Sequence, residues 1–133
     1  MAEYGDLTYP SKKIITENDN IVIKKYIDGY EGGRTLDMTG CGLSVIKAGH
    51  VVIVETATKK FKPMPLNTDN SAYGTLPAGH AYAGIVVASQ TADRPFVGIL
   101  TNGTINPKAA PFAYDTILED LKAALPQIEF RED

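Results

Sequence analysis

Few side chains in this sequence can do acid–base, nucleophilic or metal chemistry. His50 and His80 are the only histidines among 133 residues, and Cys41 is the only cysteine. Each histidine ends the tripeptide AGH. Two histidines share a metal readily when their spacing puts both rings on one face, as in HxH or HExxH, and neither pattern occurs. The simpler reading is that each histidine opens a strand after a glycine turn. Cys41 has no catalytic signature around it and reads as a buried or idle thiol. GxSxG, P-loop and GxGxxG patterns are absent. The acidic pairs Glu119/Asp120 and Glu132/Asp133 fall on a predicted helix and a tail, where they read as solvated charges. The cluster Lys59-Lys60-Phe61-Lys62 offers a contact for phosphate or an acidic surface, although a solvated hairpin turn accounts for it more simply. No clustered acid, base or nucleophile emerges, so the expected protein is not an enzyme and carries no cofactor or metal.

The elements that would position these residues centre on 83–104, AGIVVASQTADRPFVGILTNGT. Its two short apolar runs, 84–88 and 96–100, read as paired buried strands flanking a polar stretch. Gly84 and Gly98 each precede an isoleucine, and glycine within a strand marks a bulge, a bend or a close backbone approach. Asn102-Gly103 predicts a sharp turn. Upstream, 51–55 (VVIVE) reads as a buried strand after a Lys47-Ala48-Gly49 turn, with a return through 61–64. Residues 65–79 read as a long loop. Downstream, the spacing of Ile117, Leu118, Leu121, Ala124 and Leu125 predicts a helix over 116–125. Thr116 and Glu119 have capping-box spacing, and Pro126 stops the helix. Residues 128–130 predict a last strand.

The N-terminal part differs from the rest. Residues 1–42 read as an arm carrying one strand candidate, 21–27 (IVIKKYI), followed by the glycine-punctuated link DGYEGG; residues 43–133 read as the β-rich core. The strand candidate is either the first strand of the domain or a segment that pairs with another chain's sheet edge. Tyr4, Tyr9, Tyr26 and Tyr30 all lie in this arm, and tyrosine is a stiff, amphipathic anchor for a partner surface. The expected fold is therefore mainly β, a small roll or barrel-like domain with one short C-terminal helix and an extended N-terminal arm. A net charge of −3 argues against nucleic acid as the main ligand. The N-terminus has no basic start followed by an apolar stretch, and no run is long enough to span a bilayer, so a soluble protein made in a reducing compartment is expected.

Residues 43–111 resemble the head decoration proteins of tailed bacteriophages, the lambda-type family. VVIVETATKKFKPM is similar to that family's strand, Lys-bearing turn and return. AGIVVASQTAD resembles its Gly-Ile-Leu strand and acidic turn, and VGILTNGTINPKAAP its strand with a Gly-Thr step and a proline-containing exit. The helix and tail after Pro111 lie outside the matched part. The resemblance implies a homotrimer on the outer surface of the expanded capsid, bracing the shell against internal DNA pressure. Its partner is the major capsid protein, with neither nucleic acid nor membrane contacted directly. Tyr9, Ile14, Ile21, Ile23, Tyr26 and Tyr30 are then the candidate capsid-contact residues. The protein would be synthesised in the host cytoplasm and end in the virion. The competing reading is a virion-surface module that recognises host carbohydrate or protein.

Overall fold

The structure is a computed structural model and describes residues 19–30, 32–39, 42–68 and 72–131. In chain order the elements are α1 (Asp19–Val22), β1 (Ile23–Gly29), β2 (Arg34–Thr35), β3 (Val45–Ile46), β4 (Val51–Glu55), β5 (Phe61–Pro63), β6 (His80–Val86), β7 (Gln90–Thr91), β8 (Phe96–Val97) and β9 (Ile99–Ile105). A 3-10 turn (Pro107–Ala109), α2 (Leu118–Ala124) and β10 (Ile128–Phe130) complete the chain. The fold is mainly β with one helix near the C-terminus. A six-stranded sheet runs in the order β1-β9-β6-β4-β5, with β10 pairing parallel to β9, and the short pairs β2–β8 and β3–β7 lie outside it.

The apolar runs in β4, β6 and β9 are continuous because the sheet is covered on both faces. Side chains alternate along a strand, and the core divides accordingly. Val51, Ile53, Ile85 and Leu100 enter one cluster with Tyr73, Tyr114 and Leu121. Val52, Val86 and Ile99 enter a second with Leu36, Ile46 and Val97. Helix α2, with Tyr73, Tyr114 and Ile117, closes the first face; the two short strand pairs supply the cover for the second. Fully buried Leu121 anchors α2, and burial of one such side chain contributes roughly 1.5–3 kcal/mol. That docking is needed because a seven-residue helix does not hold its own shape in water.

Three local expectations are corrected. The 21–27 strand is not a free arm. Ile21 and Val22 belong to α1, and β1 pairs antiparallel with β9 from Ile23↔Ile105 to Gly29↔Leu100. The main sheet therefore crosses the boundary expected after residue 42. Asn102 and Gly103 do not turn either. They lie inside β9 opposite Asp28 and Tyr26, where the β1 register slips. Gly103 is required there by close approach, since a Cβ would stand 2.1 Å from the Lys25 carbonyl oxygen. Pairing with β1 overrides the turn signal. Finally, α2 begins at Leu118 with no side-chain cap. The Thr116 hydroxyl donates instead to the Tyr73 carbonyl at 2.9 Å, tying the helix entry to the 65–79 segment.

Candidate functional site

The expected contact residues occupy unlike environments. Tyr9 and Ile14 lie outside the described residues, as does Cys41. Ile21 (51% exposed) and Tyr26 (53%) project to solvent, joined by Ile27 (55%), which was not singled out from the sequence. Ile23 is half-buried against the first core cluster, and Tyr30 packs against the second. The Tyr30 ring meets Phe61 edge-on at 5.1 Å, with the Arg34 guanidinium 5.2 Å from its centre. Tyr30 and Ile23 thus support the fold, while Ile21, Tyr26 and Ile27 are exposed apolar side chains on α1 and the edge strand β1. Lys24 through Asp28 are all exposed, so the middle of β1 has little cover on either face.

The histidines diverge. His50 is fully buried. Its Nε2 lies 3.1 Å from the Met64 carbonyl, to which it donates, and its Nδ1 has no partner among the described residues. Tyr73 and Phe112 meet the imidazole edge-on at 5.3 and 5.6 Å. Removal from water pushes its pKa down to about 4. Tyr114 donates a short hydrogen bond to the Gly49 carbonyl, and the Tyr73 oxygen accepts from the Val51 amide at 3.0 Å. Burial raises both phenols. This cluster locks the 47–49 turn to the segment before α2. Tyr114→Phe is expected to lower stability by about 1 kcal/mol, the net worth of one hydrogen bond, in urea unfolding. An unchanged midpoint would show that the Tyr114 hydroxyl is not needed at Gly49.

His80 opens β6 at the other end of β4, opposite Glu55. Five residues of strand, about 17 Å, separate the two imidazoles' ends of β4, too far for one ion. His80 Nε2 lies 3.2 Å from Lys62 Nζ, and Nδ1 lies 2.9 Å from the Ala78 carbonyl. An ammonium only donates, so Nε2 is the acceptor and Nδ1 carries the proton. Lys62 also pairs with Glu55 at 3.3 Å. Hydrogen bonds from Thr58 and then Lys62 hold the Glu55 carboxyl below its usual range. Beside Lys62 opens a cleft of about 440 Å³ that Asp37 also lines. Asp37 Oδ1 accepts from the Thr39 hydroxyl at 2.6 Å and the Thr39 amide at 3.1 Å, which lowers its pKa.

No family model, curated protein or solved structure matches this chain.

Among the described residues no three His, Cys, Asp or Glu side chains gather as a metal site, and no helix is long and apolar enough to cross a membrane. Two features therefore stand out: the exposed apolar surface at the β1 edge and the Lys62 cleft at the β5 edge. The Lys62–His80 contact had one partial sequence signal, the Lys-rich turn that leads into β5. The position of Asp37 had none, because it depends on the Leu36↔Phe61 bridge and the Asp37 amide donating to the Phe61 carbonyl.

Proposed function

We propose that this chain is a structural virion protein, a decoration subunit that binds the outside of an expanded phage head as a homotrimer and stabilises it. One observation supports an adhesive role above others. Ile21, Tyr26 and Ile27 are more than half exposed along α1 and the edge strand β1, while Ile53, Ile85 and Ile99 in the sheet's central strands are buried. Apolar side chains grouped on a sheet edge fit a protein partner better than water. The edge is not an open template for a long added strand: Lys24 and Lys25 are exposed, and three register irregularities interrupt β1. Such features discourage continuous pairing, so the contact here runs through side chains.

The test is co-sedimentation with expanded heads that lack the protein. Tyr26→Ser combined with Ile27→Ser should leave stability within about 0.5 kcal/mol, as for exposed sites generally. Head binding should fall by tenfold or more, since burial of one large apolar side chain stabilises by roughly 1.5–3 kcal/mol. Undiminished binding by the double variant would remove this surface from the interface.

A further inference from the structure

We infer that the cleft beside β5 binds a small amphiphilic anion, a molecule with a short apolar body and one carboxylate-type head. This inference does not rest on the capsid reading, because β5 and β1 are opposite edges of the main sheet. The cleft's volume, about 440 Å³, suits a ligand of this size. Leu43, Pro65, Leu66 and Pro77 line it with apolar surface. Among the described residues no Phe, Tyr or Trp lines it, which separates it from the stacking platforms that suit sugars.

Lys62 is positioned to receive the head. Its ammonium has three N–H groups and, among the described residues, uses them on Glu55 and His80, leaving one for a ligand. Glu55 and His80 hold the ammonium at the cleft rim, so its position is set before a ligand arrives. His80 accepts from Lys62 through Nε2. The adjoining surface is lined by Arg34, Lys59 and Lys60, which favours an approaching negative charge. Asp37 lines the same surface and is the one carboxylate among these cations; Lys60 and Lys62 act on its charge, and its Oδ1 accepts from Thr39. One negative head at the Lys62 end with an apolar body toward Leu43 and Leu66 satisfies this layout.

The experiment titrates isotope-labelled full-length protein with octanoate, octanol and octylammonium below their micelle concentrations, read by NMR. Octanoate should saturate with shifts at His80 and along β5, about tenfold tighter than octanol. Lys62→Met keeps the apolar stem and should abolish the preference for octanoate while retaining octanol binding. Leu43→Asp, a change at a half-buried rim position, should weaken both ligands. Equal affinity for octanoate and octanol, tighter binding of octylammonium, or octanoate shifts confined to the β1 edge would each overturn the inference.

Discussion

Acid should unfold this protein earlier than its carboxylates require, with His50 responsible. The imidazole is neutral in the folded state, where burial pushes its pKa from 6.5 down to about 4. The sign follows from linkage. Above pH 6.5 neither state binds the proton, and the full stability is present. Below 6.5 the unfolded chain takes up a proton that the folded chain refuses, so stability falls by about 1.4 kcal/mol per pH unit. The fall continues until the folded-state value near pH 4, amounting to about 3 kcal/mol in all. The physical obstacle is visible in the cluster. Nε2–H already donates to Met64, and a proton on Nδ1 would have no acceptor between Tyr73 and Phe112.

Asp37 and Glu55 titrate differently. Their carboxyls are held low by hydrogen bonds, so their contributions are present above the ordinary carboxylate values of 3.8 and 4.5 and are lost below them. The window between pH 6.5 and 4.5 therefore isolates His50. His50→Gln keeps an N–H able to reach the Met64 carbonyl and has no proton to gain. Urea midpoints measured across this window should slope steeply for the natural chain and lie nearly flat for the glutamine variant. Parallel slopes in the two proteins would show that another group drives the acid sensitivity. Sequence alone did not distinguish His50 from His80, because both follow Ala-Gly. The distinction arises from residues far along the chain, Tyr73 and Phe112, which close over one histidine, whereas Lys62 sits beside the other.

That contrast indicates what was legible. Strand β4, its turn at 47–49, the return through β5 and the last strand β10 are written in local patterns of branched apolar residues bounded by glycine, lysine or proline. The helix was legible from its spacing, but not its first turn, since the Thr116 hydroxyl is taken by Tyr73. The fate of β1 was not readable. Its own residues suit a strand, yet whether it pairs within the chain depends on a vacant edge of β9, and that edge is created by tertiary assembly. The same pairing keeps Asn102-Gly103 extended against its turn preference. The cleft at Lys62 joins four separated segments, so no single stretch of sequence carries its signature.

The two Gly-Ile pairs that frame the central strands should respond oppositely to the same substitution. Gly84 lies in β6 between β4 and β9, where Val52↔Gly84 adjoins a register slip. A Cβ at Gly84 would fall 2.4 Å from the Leu100 carbonyl oxygen and 2.5 Å from Ile99 Cγ2. The carbonyl is backbone in the central strand and cannot rotate aside, so β9 must move away from β6 to admit the methyl group. Overpacking of this kind costs roughly 1–3 kcal/mol, and a displaced sheet centre falls at the upper end. Gly98 stands between β8 and β9, is exposed, and would place its Cβ 3.6 Å from Val87, an ordinary contact. Alanine there also restricts the unfolded chain, which stabilises by about 0.4–1 kcal/mol where the backbone is compatible. Gly84→Ala should therefore lower the urea midpoint strongly while Gly98→Ala leaves it unchanged or raises it. Equal losses at the two sites would mean that the close approach of β6 to β9 does not set the requirement for glycine at 84.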